Sequence, residues 1–246
     1  MPCRPEKALR APALAAYINM NALIGLLPRH EQAQLLSRCK LVHLVAGEDI
    51  CQCGSPMARV LFPTTGYLSL ITGIDAAPAV EVGMVGTEGM VGAQLLLGVS
   101  TSPLRVMVQG GGNALSLPVR EFRRQVAQSK ALDRVLRRYL HVTMTQFATG
   151  APCVHFHAIM PRLARWLLMM HDRAGPAQLQ CTHEYLSLML GVRRAGISVA
   201  AEGLQATGLI RYGRGRVEVL DRHALERAAC GCYALDRATY ASVMCR

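Results

Sequence analysis

Residues Thr182 to Ala206 read THEYLSLMLGVRRAGISVAAEGLQA, and this stretch decides how the C-terminal part of the chain folds. Thr182 can cap a helix, because its hydroxyl accepts a backbone N–H that has no partner in the first turn. Apolar residues then recur at helical spacing up to Gly191, a residue suited to the left-handed end of a helix. A second helical pattern starts near Arg193. The stretch therefore predicts two short helices joined by a tight glycine turn.

Two helices joined in this way form a helix-turn-helix, whose second helix can enter the major groove of DNA. Arg193 and Arg194 open the second helix, at the end that reaches base edges, and arginine pairs with guanine through two hydrogen bonds. A helical hairpin in a protein core is the alternative. The order of cap, glycine turn and paired arginines favours DNA binding. The buried face of the second helix is predicted to consist of Ile197, Ala200, Ala201 and Leu204.

A β-hairpin is predicted directly after the second helix. Residues 209–212 and 216–220 are β-rich, and Gly213-Arg214-Gly215 between them has the composition of a turn. Beside a helix-turn-helix such a hairpin is a wing, and its arginines can lie along a phosphate backbone. The predicted DNA contacts are Thr182, His183, Arg193, Arg194, Gly196, Ser198, Arg211, Arg214 and Arg216.

The charge of the chain agrees with a polyanionic partner. The 246 residues carry a net charge of +11, most of it on arginine, whose planar group suits phosphate and guanine. Charge alone does not separate nucleic acid from a membrane surface. We see neither a signal peptide nor an apolar run long enough to span a membrane, so we expect a cytoplasmic protein. The nine cysteines are scattered and odd in number, which argues against a disulfide framework.

The N-terminal part follows a different period. Residues 1–20 are predicted to be a loose arm rich in proline, and residues 21–129 a β-roll with flanking helices. The glycine triplet Gly110 to Gly112 is interpreted as a turn. Many short strands separated by glycine turns are typical of an antiparallel roll or barrel. The predicted strands are 41–45, 58–62, 67–71, 80–85, 104–108 and 114–117.

A long helix is predicted over residues 130–152, between the roll and a C-terminal domain over 153–246. Gly150 and Pro152 are interpreted as a break near the domain boundary. The apolar stripe of the helix indicates a dimer seam, with a helix lying on its own β domain as the alternative. The residues predicted for the seam are Leu132, Leu136, Tyr139, Leu140, Met144 and Phe147.

A roll, a long helix and a winged helix-turn-helix in this order resemble the Crp/Fnr family of bacterial transcription regulators. The motifs that carry the resemblance are RLARWLLM at 162–169, THE at 182–184, LGVRRAG at 190–196, GLIRY at 208–212, GYLSL at 66–70 and VGTEGMVG at 85–92. The resemblance implies an α+β fold with a cyclic-nucleotide-binding-like sensor roll and a homodimer that binds palindromic double-stranded DNA. It also implies RNA polymerase as a partner.

The chain departs from the best-known members of that family. Cyclic-AMP-binding members have a Gly-Glu pair where this chain has Gly92-Ala93-Gln94, and Arg105 is out of register with the arginine that holds the phosphate. Only Cys3 lies in the first 38 residues, so the cysteine cluster of iron–sulfur members is missing. We therefore expect no cofactor and an effector other than cyclic AMP, with Gly92, Gln94 and Arg105 as the candidate effector-binding positions.

The recognition helix also differs from that of the best-known cyclic-AMP-binding member. Arg194 matches a base-reading arginine, whereas Ala195 and Val199 stand where that protein has a glutamate and a second arginine. A different operator is expected. The alternative function is a small-molecule, metal or redox sensor in which DNA binding is secondary.

No metal site is predicted. Cys51-x-Cys53 and Cys230-x-Cys232 are spaced too closely for the usual zinc knuckle. Cys153, His155 and His157 are metal-binding residue types, but positions two apart on a helix point in different directions. Because the sequence shows neither paired carboxylates nor a nucleophile beside a base, we expect that the protein is not an enzyme.

Overall fold

The computed structural model describes residues 20–73, 79–174 and 179–245. The predicted arm, apart from Met20, lies outside the described residues. The chain divides into two units, one of residues 20–70 and 84–141, the other of residues 71–83 and 142–245. The mixed composition of helix and sheet confirms the predicted α+β class.

The N-terminal half begins with two short helices and continues as a sheet. The buried Asn21 caps the first helix: its side-chain oxygen accepts from Leu23 N and Ile24 N, while its amide donates to Pro63 O and Gly89 O. The elements are α1 (Ala22–Gly25), α2 (Arg29–Leu36), β1 (Lys40–Leu44), β2 (Asp49–Cys51), β3 (Arg59–Thr72), β4 (Val80–Val85), a 3₁₀ helix (Ala93–Leu97), β5 (Arg105–Pro118) and α3 (Val119–Gln128).

These strands form one five-stranded sheet in the order β1-β5-β3-β4, with β2 also paired to β5. β1 and β2 both run antiparallel to β5, and Leu44 lies opposite Gly112. The prediction of separate runs at 58–62 and 67–71 was wrong, because both belong to β3. The runs at 104–108 and 114–117 likewise merge into β5, so Gly110 to Gly112 is not a turn.

The glycines lie where two long strands approach each other closely. A methyl group added to Gly66 would strike the backbone of Gly110 and Gly111, and one added to Gly112 would strike the backbone of Thr65. Gly110 lies against the ring of Tyr67. Residues with any side chain would push β3 and β5 apart at this point. Local composition signals a turn, but here the glycines serve a contact between distant segments.

The long helix α4 spans Lys130–Phe156, further than predicted. The expected break at Gly150 and Pro152 was wrong, since Pro152 lies inside the helix. Proline removes the N–H that would bond to the carbonyl four residues earlier, which is that of Ala148. Ala148 and Pro152 are both exposed, so water can take the place of that hydrogen bond.

The apolar residues of α4 face two directions, which corrects the predicted dimer seam. Leu132, Leu136 and Tyr139 are buried within the single chain. The Tyr139 hydroxyl donates to Met90 O, and Gly89 provides room for its ring. These three side chains lie on their own unit, as the alternative interpretation has it, and are not available to a partner. Leu140, Met144 and Phe147 remain partly or largely exposed.

The second unit contains the C-terminal helices and a small sheet. The indole Nε1 of Trp166 donates to Glu81 Oε1 at 2.7 Å, and Arg222 binds Asp172 at 2.6 Å. The elements after α4 are α5 (Ile159–Ala174), β6 (Leu179–Gln180), α6 (His183–Leu190), α7 (Arg194–Ala206), β7 (Ile210–Gly213), β8 (Arg216–Val219), α8 (Arg222–Ala228) and α9 (Cys232–Met244). Among the described residues, none of the helices is both long and apolar enough to cross a membrane.

Candidate nucleic-acid interface

The two helices predicted between Thr182 and Ala206 are present as α6 and α7. The Thr182 side chain accepts from Tyr185 N at 3.1 Å and caps α6. Gly191 ends the helix with φ +63°, the left-handed conformation that glycine adopts without strain, and Val192 N donates to Ser187 O. α7 begins at Arg194, three residues after Gly191. Local sequence signals therefore fix both ends of α6.

The buried face of α7 holds the helix-turn-helix together. Ile197, Ala200, Ala201 and Leu204 are all buried, as predicted. Gly196 faces Ile159, and a methyl group at Gly196 would come within 2.8 Å of the Ile159 side chain. The small residue is therefore explained by close packing of α7 on α5, although the sequence placed Gly196 among the DNA contacts.

The outer face of α7 exposes a short basic and apolar surface. Arg193 and Arg194 are exposed, and within the described part of the chain neither side chain makes an ion pair or hydrogen bond. Val199 is 70% exposed on the same helix. In the sequence, Val199 differs from the arginine at the same place in the best-known cyclic-AMP-binding member, and it was not predicted to contact DNA. An exposed apolar residue on a recognition helix can contact the methyl group of thymine, so Val199 joins the candidate contacts.

His183 and Ser198 connect the helices to the wing instead of facing outward. Ser198 Oγ and His183 Nδ1 share a hydrogen bond of 3.0 Å. The His183 ring stacks on Tyr212 of β7 at 4.4 Å between centroids. Tyr212 in turn donates from its hydroxyl to Cys181 O and from its backbone N–H to Gln205 Oε1. Both predicted contacts are thus already engaged within the domain.

The environment of His183 keeps its ring neutral. Burial, followed by the positive charge of Arg194, lowers the pKa of His183 below its usual range. At pH 7 the imidazole is therefore uncharged. Its role in this structure is to orient α6, α7 and β7 through stacking and one hydrogen bond.

The predicted wing is present as β7 and β8, which pair antiparallel with Gly213 opposite Arg216. Arg214 and Gly215 form a two-residue turn with φ of +50° and +73°, the signs typical of a type I′ hairpin. Arg214 and Arg216 are exposed. Arg211 differs from them, because its Nη1 binds Glu218 Oε2 at 2.7 Å.

Replacing Thr182 by alanine is expected to lower the free energy of unfolding of the second unit by about 1 kcal/mol, because the cap on α6 is lost. Urea unfolding followed by the fluorescence of Trp166, the single tryptophan of the chain, measures this unit. Thr182→Ser keeps the hydroxyl and should resemble the wild type. An equal loss in both variants would show that the hydroxyl does not cap the helix.

The three candidate effector positions lie in the first unit, and each has its own neighbours there. Gly92 has φ +100° and faces Val60. The Gln94 amide donates to Thr101 O, and Arg105 Nε donates to Asp49 Oδ1 at 2.8 Å. Arg105 also alternates with the buried Val106 on β5, so its side chain is on the face away from the core.

Four possible metal ligands come together in the second unit. Cys153, His157, Cys230 and Cys232 place their ligand atoms within 4.8 Å of one another. His155 is exposed and takes no part, as its spacing on a helix predicted. In the sequence, the set Cys153, His155 and His157 and the pair Cys230 and Cys232 look like separate groups, and the local spacing of each argues against a metal site. Cys51 and Cys53 instead bond to backbone carbonyls of the first unit.

The thiols of this group affect each other's ionisation. The hydrogen bond with Cys230, with smaller contributions from His157 and the charge of Arg165, lowers the pKa of Cys153 to about 4. The same hydrogen bond and burial raise the pKa of Cys230. The hydrogen bond thus favours ionisation at Cys153 over Cys230, and Arg165 lies beside Cys153 with Nη1 3.5 Å from Sγ.

Comparison with known proteins supports this description of the second unit. Residues 161–228 match the family model of the Crp-like helix-turn-helix domain. This range contains α6, α7 and both strands of the wing. No curated protein resembles the chain closely enough in sequence to count as a match.

Solved structures of similar fold extend the comparison to most of the chain. FixK2 from Bradyrhizobium japonicum is 14% identical, with a TM-score of 0.66 over 78% of this chain and 98% of that one. A transcriptional regulator of the CRP family from Thermus thermophilus is 19% identical, with a TM-score of 0.63 over 76% and 96%. The c-di-GMP responsive global regulator CLP of Xanthomonas campestris is 17% identical, with a TM-score of 0.62 over 79% and 100%.

Residues 161–228 are therefore similar to the Crp-like helix-turn-helix domain, in the part of the chain where the sequence predicted a helix-turn-helix and a wing. Over most of its length the chain shares the fold of the solved structures named above.

Proposed function

We propose that the protein is a homodimeric, sequence-specific regulator that inserts α7 of each subunit into the major groove of a palindromic operator. The observation that carries this proposal is the exposed, unpaired start of α7 at Arg193 and Arg194. Two recognition helices of a dimer meet half-sites about one helical turn of DNA apart. The cytoplasm, where bacterial DNA lies, is its expected location.

The N-terminus of α7 is suited to DNA in its backbone as well as its side chains. The N-cap residue Arg193 provides no side-chain hydrogen bond to the first turn. Gly196 N already bonds to Arg193 O, so the N–H groups of Arg194 and Ala195 are the ones at this helix start that can bind phosphate. Cations are unfavourable at this end of an isolated helix, so Arg193 and Arg194 gain most when an anionic groove is present.

We assign reading of bases to Arg194 and Val199 and backbone positioning to Arg193, Arg214 and Arg216. Arg194 presents the fork that matches the O6 and N7 atoms of guanine. Val199 lies five residues, or about one and a half turns, further along α7, where an apolar side chain suits thymine. Ser198 is engaged with His183, so its part in the complex is to hold the helix.

Replacing Arg214 by alanine is expected to reduce the slope of log K against log salt concentration by about 1, because one phosphate contact is lost. Fluorescence anisotropy of a labelled duplex at several salt concentrations measures this slope. Arg124→Ala is the matched control, since it removes an exposed arginine from the first unit that is paired with Glu121. Equal slopes for Arg214→Ala and the wild type would remove the wing contact.

We propose that the homodimer forms through the face of α4 that its own unit leaves free. Leu140, Met144, Phe147, Ala151 and Val154 follow one another at spacings of four and three, the repeat of a coiled-coil seam. Met144 is 60% and Val154 58% exposed. An apolar stripe of this regularity on a long helix is stabilised when a second copy covers it.

Any effector of the β-roll is a separate proposal, and its geometry argues against cyclic AMP. Arg105 is held by Asp49 on the outer face of β5, so it does not offer its guanidinium to a phosphate inside the roll. The Xanthomonas regulator is described as responsive to c-di-GMP, which supports an effector other than cyclic AMP. RNA polymerase remains the partner that a bound regulator is expected to contact.

Selection of bound sequences from random duplex DNA tests the proposal as a whole. We expect a pseudo-palindromic motif whose half-sites each contain guanine and lie one helical turn apart. Repeating the selection with cell extract shows whether a small molecule changes affinity. Recovery of no motif, or of a single half-site, would contradict a dimeric sequence-specific regulator.

A further inference from the structure

The group formed by Cys153, His157, Cys230 and Cys232 has no part in reading DNA. Cys153 lies near the end of α4, and His157 follows that helix with its backbone N–H bonded to Cys153 O. Cys230 and Cys232 lie just before and at the start of α9. The three cysteines are buried, and His157 is partly buried. We call these four residues the Cys3His group.

Two separations within the Cys3His group match those of ligands around a single tetrahedral ion, and all four ligand atoms lie within 4.8 Å of one another. Zinc binds sulfur at about 2.3 Å and nitrogen at about 2.0–2.1 Å, which places tetrahedral ligand atoms about 3.5–3.8 Å apart. Cys153 Sγ and Cys230 Sγ are 3.6 Å apart. Cys232 Sγ and His157 Nδ1 are also 3.6 Å apart. Each distance joins one residue near the end of α4 to one near the start of α9.

We propose that the Cys3His group binds one Zn²⁺ ion as a structural site. Three thiolates and one imidazole are a common ligand set of structural zinc, and four protein ligands leave no open position for a catalytic water. Soft sulfur ligands in tetrahedral geometry select zinc over magnesium, calcium or manganese. An iron–sulfur cluster places several iron and sulfide atoms between its ligands and therefore needs ligands further apart than these.

The surroundings of the group suit the charge that such a site carries. Zn²⁺ with three thiolates and a neutral imidazole has a net charge of −1, after up to three thiol protons have left for the solvent. The Arg165 guanidinium lies 3.5 Å from Cys153 Sγ and is itself held by Asp236 at 2.7 Å. Arg165 and Asp236 thus form the outer hydrogen-bonded layer that orients ligands in metal sites.

The place of the site in the chain gives it a structural consequence. The two ligand pairs bracket residues 161–228, which match the Crp-like helix-turn-helix domain. Metal binding would therefore tie the end of α4 to α9 and hold both ends of the DNA-binding domain together. Because a metal bound only by the folded chain adds its binding energy to folding, the metal-free domain should unfold more readily.

Metal uptake by the reduced full-length protein is the first test. After removal of metal and addition of Zn²⁺, we expect about one equivalent to remain per chain on elemental analysis. Co²⁺ in its place should give the strong visible bands of a tetrahedral ion and thiolate-to-metal absorption in the near ultraviolet. Uptake below about 0.1 equivalent, or a pale octahedral spectrum, would overturn the proposal.

Matched variants assign the ligands. Cys230→Ser with Cys232→Ser should weaken Co²⁺ binding more than about 100-fold, since loss of an outer-layer partner alone costs about 10–100-fold. The same pair of changes at Cys51 and Cys53 has identical spacing and should leave binding unchanged. His157→Gln should weaken binding in the same way, and His155→Gln should not. Equal effects of the test and control variants would count against the site.

Two further measurements keep the result independent of misfolding. His157→Cys keeps four ligands and should bind Co²⁺ with a stronger thiolate band, and failure to do so would contradict the assignment of His157. Mass spectrometry of the protein prepared without reductant tests whether Cys153 and Cys230 form a disulfide. If a disulfide is present and its reduction does not lead to metal uptake, the group is a thiol switch, and the proposal of a zinc site is overturned.

Discussion

Replacing Met144 by glutamate is expected to dissociate the proposed homodimer, raising its dissociation constant more than about 1,000-fold. Each subunit contributes one carboxylate to the seam, and burying an unpaired charge costs several kcal/mol per ion. Because about 1.4 kcal/mol corresponds to tenfold, two such charges exceed the stated factor. Sedimentation velocity at micromolar concentration measures the change. Operator binding should fall with it, since one subunit reaches only one half-site.

Thr145→Glu is the control for this substitution. It adds the same charge one residue away, turned by about 100° around the helix axis and therefore off the stripe. This variant should remain dimeric. A Met144→Glu protein that sediments as a dimer with unchanged affinity would show that the partner subunit lies elsewhere. The helix would then keep an exposed apolar face without a partner.

Replacing Arg194 by alanine is expected to weaken operator binding by about 1–3 kcal/mol for each half-site, because a two-pronged contact with guanine is lost. Binding to a scrambled duplex should change little, since that binding depends on phosphate contacts. Anisotropy titrations with both duplexes at one salt concentration separate the two effects. Arg194 is exposed and has no ion pair within the described part of the chain, so its removal should leave the fold intact.

Arg214→Ala provides the comparison for this experiment. It removes a positive charge from the wing and should weaken binding to the operator and to the scrambled duplex alike. If Arg194→Ala behaves in the same way, Arg194 contacts phosphate and another residue reads the bases. Val199 is the next candidate, because it is the most exposed apolar residue on the same helix.

The C-terminal domain could be predicted from sequence because its signals are local. Thr182 and Gly191 lie at the two ends of one helix, and both act through hydrogen bonds to residues only a few positions away. The wing likewise follows from Gly213-Arg214-Gly215 and the β-rich residues beside it. Each of these features needs no knowledge of the rest of the fold.

The missed features depend on contacts between segments distant in sequence. Gly110 to Gly112 have the composition of a turn, and only the approach of β3 shows why they lie within a strand. The period of α4 shows which residues share a face, but not that Leu132 and Leu136 face their own unit. The Cys3His group joins two pairs, each of which is too closely spaced or wrongly oriented by itself.

The structure also separates residues that the sequence analysis grouped together as DNA contacts. His183 and Ser198 belong to the same motif as Arg193 and Arg194, and the sequence analysis placed all four among the DNA contacts. In the structure the first two bond to each other and the last two face solvent. The polarity and position of these residues therefore predicted the candidate DNA-binding surface. The role of each residue in it could be assigned only from the structure.

The close approach of β3 and β5 limits how this protein can evolve. At Gly66 and Gly112 a substitution would push a new atom into backbone, which no rotamer change can relieve. Substitutions should therefore be tolerated along most of the roll, whereas selection should remove them at Gly66 and Gly112. Sequences that keep glycine at both positions, together with the paired arginines, should be those that share this approach of the two strands.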